Sequence, residues 1–186
     1  MRKQFGKKWL FTPMPVLIIG TYDADGNANA MNAAWGIQSD FGRVHVFLGP
    51  HRTTENLKLK KAFTVSFADR ANVIPADYVG IVSGAEVPDK VSRAGWHARK
   101  SEVIDAPLFD ELPLAIECKM IDLVEEPDGL ILIGEVVGMS ADEKILTNGQ
   151  VDIAKLDPIC YISSDHTYRV LGESVGKAFQ IGSALK

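Results

Sequence analysis

Pro15-Val16-Leu17-Ile18-Ile19-Gly20-Thr21-Tyr22, then Asp23-Ala24-Asp25-Gly26-Asn27, then Ala28-Asn29-Ala30-Met31-Asn32-Ala33-Ala34-Trp35 is the stretch that decides the fold. A β-branched apolar run that halts at Asp-Gly reads as strand, hairpin turn and second strand. In the second strand Asn29, Met31 and Ala33 share one face and Ala30, Asn32 and Ala34 the other, so small and polar residues dominate both. A strand of that kind packs poorly as core. A ligand or another backbone is therefore expected against one side.

Downstream, residues 43–48 alternate as a third strand ended by Gly49-Pro50, with His45 read as a structural or surface histidine. Thr53 or Thr54 caps a short helix running to residue 61, with Glu55 in its first turn. Residues 63–67 form a fourth strand. Pro75 opens a helix over residues 76–82 that Gly84 terminates, and residues 86–107 form a loop-rich crossing segment with one helical turn at most. From Pro113 the alternation returns, turns at residues 125–129, and continues as a long, mostly buried strand over residues 130–139. Asn148-Gly149 marks another turn, residues 159–162 a last short strand, and residues 168–186 a tail without a clear signal.

Six or seven strands joined by tight turns, with few strand-helix-strand alternations, favour a mainly β protein: a small antiparallel barrel with short peripheral helices. No GxGxxG follows a strand, so a glycine-rich dinucleotide fold is not expected. With 186 residues, 46% of them hydrophobic, one domain over residues 1–186 is expected. The net charge of −4 and pI near 5.6 leave no basic footprint for nucleic acid or anionic membrane. Cys118 and Cys160 lie far apart with no CxxC and no His cluster, which fits neither zinc nor a disulfide framework and suits a reducing cytoplasm. Cys118 reads as a buried small hydrophobe. Arg2, Lys3, Lys7 and Lys8 before an apolar run imitate a signal peptide, but Pro13, Pro15, Asp23 and Asp25 contradict that reading. No apolar run reaches a membrane span.

Two segments carry candidate chemistry. Arg52, Thr53 and Thr54 stand at a helix start, where free N–H groups and the positive dipole end favour an anion, though a plain helix cap explains the threonines as well. Asn29, Met31, Asn32, Ala33, Ala34 and Trp35 provide small residues, amides and an aromatic face for a flat ring; a core tryptophan beside a loop is the other reading. Lys90 reads first as a surface lysine, and otherwise as a group near a phosphate or a nicotinamide nucleotide. His51 and His97 are candidates for substrate contact. Tyr161 and Tyr168 either border the pocket or close the barrel.

The chain resembles the flavin reductase-like family of FMN-binding split-barrel proteins, and within it the flavoredoxin branch. The resemblance is carried by residues 15–18, Asp25-Gly26, residues 29–35, Arg52-Thr53-Thr54 with Asn56, Ser83-Gly84, Asp89-Lys90, Pro107, residues 114–118, and tail positions including Asp157-Pro158-Ile159, Tyr161, Tyr168 and Gly176. It implies a homodimer of split β-barrels and FMN as cofactor. It also implies NADH or NADPH as co-substrate giving hydride to flavin N5, or electron transfer with a redox partner protein. Site residues implied by position are Asn29, Met31, Asn32, Ala33, Ala34 and Trp35 for the ring and ribityl chain, and the segment of Arg52, Thr53, Thr54 and Asn56 for the phosphate; Gly49 and Lys90 complete the expected cofactor-binding set. Backbone amides around residues 33–35 would stabilise charge on the ring. No catalytic side chain and no metal are implied, since the flavin carries the hydride chemistry. Asn32 and Ala34 depart from the Thr or Ser and the Ser expected there.

Overall fold

A computed structural model describes residues 1–8 and 10–185; Lys186, the end of the predicted tail, lies outside the described residues. In chain order the strands are β1 (Met14–Pro15), β2 (Leu17–Tyr22), β3 (Ala28–Ala33), β4 (Gly36–Asp40), β5 (Arg43–Leu48), β6 (Ala62–Phe67), β7 (Ala98–Lys100), β8 (Pro107–Phe109), β9 (Leu114–Glu126), β10 (Gly129–Ala141), β11 (Leu146–Thr147), β12 (Gln150–Val151), β13 (Ile159–Ile162) and β14 (Thr167–Val170). The α-helices are α1 (Arg52–Lys60), α2 (Val73–Ile81), α3 (Lys90–Arg93) and α4 (Ile153–Leu156). Seven strands form one antiparallel sheet in the order β3-β2-β6-β9-β10-β5-β4, and β1, β13 and β14 form a separate three-stranded sheet.

The order of the large sheet dictates its shape. β3 and β4 are its two edges, yet only Ala34 and Trp35 separate them in sequence. Six inter-strand steps at 4.7–4.9 Å would hold the edges of a flat sheet roughly 29 Å apart. Three Cα–Cα steps reach about 11 Å at most. The sheet therefore rolls until its edges meet, and the seam lies at Ala34-Trp35, where the Phe47 N–H donates to the Trp35 carbonyl at 2.7 Å. Edges that meet without forming a ladder make a split antiparallel barrel, as expected.

β2 is buried on both faces. Leu17 and Ile19 enter the barrel core with Met31, Val46, Phe63, Val65 and Leu132, while Val16 and Ile18 join an outer core with Ala76 and Val79 of α2, Val91, Trp96 and Ile159. β3 departs from the expectation of a poorly packed strand: Met31 and Ala33 are in the inner core and Ala30 in the outer one. Its small side chains let α2 approach closely, since a Cβ on Gly80 would lie 2.9 Å from the Cβ of Asn32.

Several expectations change. β4 has no predicted counterpart because four of its five residues are exposed, so one face never has to be apolar. β10 is half-buried rather than mostly buried: Leu132 and Gly134 are its buried residues, with Leu132 in the barrel core, while the remainder are partly buried or exposed. The 76–82 helix begins three residues earlier, at Val73, and β14 forms inside the predicted tail. The expected helix cap is displaced too: His51 is the N-cap of α1, while the Thr54 hydroxyl accepts from the His51 N–H at 3.0 Å and donates to its carbonyl at 2.7 Å. Among the described residues no helix is long and apolar enough to cross a membrane.

Gly134 sits at a bulge in β10, where an added Cβ would meet the Phe63 ring and Val44 Cγ2. Both neighbours are core residues that cannot yield easily. Gly134→Ala is expected to lower stability by about 1–3 kcal/mol through overpacking, read as a shifted urea midpoint with an unchanged slope.

Candidate functional site

Three cavities meet at Asn32, beside the seam. The first, about 230 Å³, lies between the N-terminus of α1 and the C-terminus of α2. The second, about 290 Å³ and mostly apolar, is walled by Met31, Ala33, Trp35, Phe47 and Gly49. The third, about 250 Å³, is bordered by Ala34, Trp35, Asp77, Tyr161 and Tyr168. Each is smaller than a typical pocket for a nucleotide-sized ligand. Shared walls join them into one trough: His51 and Met31 belong to the first and second, Trp35 to the second and third, and Gly80 to the first and third.

The first cavity is built for an anion. The N–H groups of Arg52 and Thr53 occupy the first two positions of α1 and have no acceptor inside the helix. The Thr53 hydroxyl accepts from Asn29 Nδ2 at 2.9 Å, which leaves its own proton to be donated. Arg52 reaches Glu55 at 3.1 Å and Asp23 at 3.7 Å, so its charge is already shared. Lys90 is different. It is only 3% exposed, and its Nζ donates to the carbonyls of Val79 and Val82 at 2.9 Å each, closing the C-terminal end of α2. Among the described residues no carboxylate lies within ion-pair distance of it. Burial lowers its pKa from 10.5 to about 8. A buried, uncompensated ammonium beside free helix N–H groups favours a phosphate-like ligand. The close fit of the surrounding loop depends on Gly84, where a Cβ would strike Asn29 Oδ1.

The structure thus brings together Asn29, Met31, Asn32, Ala33, Ala34, Trp35, Gly49, Arg52, Thr53 and Lys90 around one trough. The first reading of Lys90, a surface lysine, is overturned: α3 turns it inwards against α2. Thr54 and Asn56 do not line any of the three cavities. Thr54 is consumed by the His51 backbone, and Asn56 is buried, donating to Thr21 Oγ1 at 3.1 Å. Asn56 ties α1 to β2, and Thr54 closes the first turn of α1. Asn32 donates to the Ala76 carbonyl at 2.9 Å, so its amide ties β3 to α2. His97 is paired with Glu111 at 2.6 Å and borders none of the three cavities. Cys118 is fully buried, its thiol pushed up to about 12 by burial and then by Glu117. Sequence reasoning missed Asp77 and the 79–84 wall as site elements; Ser83-Gly84 was the available signal.

Comparison with known proteins places this geometry. The model of the Flavin reductase like domain matches residues 10–167. The flavoredoxin of Desulfovibrio vulgaris (Miyazaki F) superposes with a TM-score of 0.91 and 37% identity over 98% of this chain and 100% of that one. The flavoredoxin from Methanosarcina acetivorans gives 0.90 and 26% over 100% of each. A curated relative, an uncharacterized protein of Aeropyrum pernix, is 32% identical over 129 residues. The match covers 68% of this chain, which spans about half the length of that relative, 48%.

The buried lysine gives a pH signature. Between pH 8 and 10.5 the unfolded chain holds more protons at Lys90 than the folded chain, so stability rises with pH across that window. Tyr168 acts with the opposite sign: burial and its bond to Asp77 push its hydroxyl from 10.0 up to about 12, and the associated stability is lost as pH climbs between those values. The thermal midpoint of the ligand-free chain is expected to rise from pH 8 towards 10. In Lys90→Met that rise should vanish, and a flat profile in the parent chain would contradict the assignment.

Proposed function

The chain belongs to the family of flavin reductase like domains, and from that premise we propose that it binds FMN along the trough and exchanges electrons between a reduced nicotinamide nucleotide and a further acceptor. The observation that carries the proposal is the buried Lys90 ammonium, which has no carboxylate within ion-pair distance among the described residues and lines the same cavity as the N-terminus of α1. Lys90, Thr53, Arg52 and the first N–H groups of α1 would hold the phosphate. Met31, Ala33, Trp35 and Phe47 would border the ring, with the apolar second cavity excluding water from one side of it. Backbone amides around residues 33–35 would orient its polar edge. When bound, the isoalloxazine supplies the redox chemistry, taking hydride at N5, while the chain positions it and sets its electrostatic surroundings.

A second reading is favoured by the flavoredoxin similarity at 37% identity over nearly the full length of both chains: an electron carrier that holds FMN tightly and reacts poorly with nicotinamide nucleotides. Fast bleaching of bound FMN by NADH or NADPH in stopped flow would exclude it. The proposal includes a homodimer, supported by the exposed apolar side chains Ile121, Val124 and Met139 on the β9–β10 hairpin, and sedimentation velocity tests it.

FMN titration followed by fluorescence quenching tests the central claim. Lys90→Met is expected to weaken FMN about 10- to 100-fold, the scale of a charge-assisted hydrogen bond. Riboflavin, which lacks the phosphate, should change by less than about threefold on the same scale. Equal losses for both flavins would place the phosphate elsewhere, and a chain with no flavin affinity would leave a non-redox split-barrel binding protein.

A further inference from the structure

The third cavity has a chemistry that the FMN reading leaves unused. Trp35, Tyr161 and Tyr168 give it three aromatic walls, and Asp77 on α2 gives it a carboxylate. The Tyr161 and Tyr168 rings lie 6.1 Å apart at 54°, and the Tyr161 hydroxyl is tied to His166 Nδ1 at 2.6 Å. Tyr168 donates its hydroxyl proton to Asp77 Oδ1 at 2.8 Å, which fixes the carboxylate. Among the described residues no Lys, Arg or His lies within ion-pair distance of Asp77.

These features select together. A carboxylate attracts a cation and repels an anion, and an aromatic ring that turns its face to a cation adds to that attraction. Flat walls and a volume of about 250 Å³ suit a single substituted ring. Trp35 and Asn32 are shared with the second cavity, so a ring seated here lies beside whatever fills that one.

We infer that the third cavity seats the ring of the electron donor, and that Asp77 with its three aromatic neighbours prefers the cationic, pyridinium form of that ring to a neutral one. The identity of the ring rests on the proposed nicotinamide reaction; the preference for a cation belongs to the cavity itself. A reduced nicotinamide is neutral, and it becomes a pyridinium when the C4 hydrogen leaves with both electrons of its bond to the acceptor beside it. A site that holds the cation more tightly favours that direction of transfer.

The probes are 1-methylnicotinamide, a pyridinium, and 3-methylbenzamide, its uncharged isostere, titrated separately into the full flavin-free chain and followed by NMR chemical shift. The parent chain is expected to bind the cation about 3- to 10-fold more tightly, the range of a partly desolvated cation–π contact. Asp77→Asn should lower that ratio about threefold, because the charge is lost while the aromatic neighbours remain. Tyr161→Leu leaves the Tyr168–Asp77 bond in place and should weaken the cation about threefold by removing one aromatic wall; it decides the matter if Asp77→Asn disturbs α2. Equal affinity for the two probes in the parent, or a cation preference undiminished by both substitutions, overturns the inference. A chain that binds no FMN yet keeps the Asp77-dependent preference sustains this inference and overturns the flavin reading instead.

Discussion

Two residues join the opposite edges of a seven-stranded sheet, and the rest of the molecule follows from that short link. Because Ala34-Trp35 cannot span a flat sheet, the strands must curl, and the residues that alternate inwards become the core of a barrel. The seam is also where the barrel wall is interrupted. Backbone there lies outside the regular ladders, and the trough opens over it, with Trp35 45% exposed between two of its cavities. Closure of the fold and placement of the site are two consequences of one connection.

The second determinant is charge placed where water cannot reach. Lys90 closes the C-terminal carbonyls of α2 and lines the cavity in front of α1. One side chain thus supports a helix end and gives the trough a positive pole. Asp77, one turn before that helix end, gives the opposite region a negative pole. The trough is polarised along its length, with an apolar compartment between its two charged ends.

Legibility in the sequence tracks burial. β2, β6 and the first half of β9 were readable because apolar residues there are demanded by packing, and the Asp-Gly turn fixed the first hairpin. β4 and β14 were not, since exposed or half-exposed strands place little demand on side-chain type. In the candidate site, the 29–35 segment and Arg52-Thr53 were visible through unusual composition and helix-start chemistry. Thr54 and Asn56 shared that chemistry but are turned to structural hydrogen bonds, Thr54 within the first turn of α1 and Asn56 to Thr21 on β2. Lys90 looked like solvated surface because its surroundings in sequence are polar; its burial comes from α2, a separate helix.

The sequence by itself determined the strand-rich antiparallel character, the first hairpin, the small-residue strand and the anion-favouring start of α1, because each depends on local propensity and on which faces must be apolar. It also carried, through resemblance, the family. Tertiary structure alone decided where the seam of the barrel lies, that Lys90 is buried with no carboxylate beside it among the described residues, and that Asp77, Tyr161 and Tyr168 converge on one cavity. Those facts arise from segments far apart in the chain meeting across the seam, and no local pattern of residues encodes such a meeting.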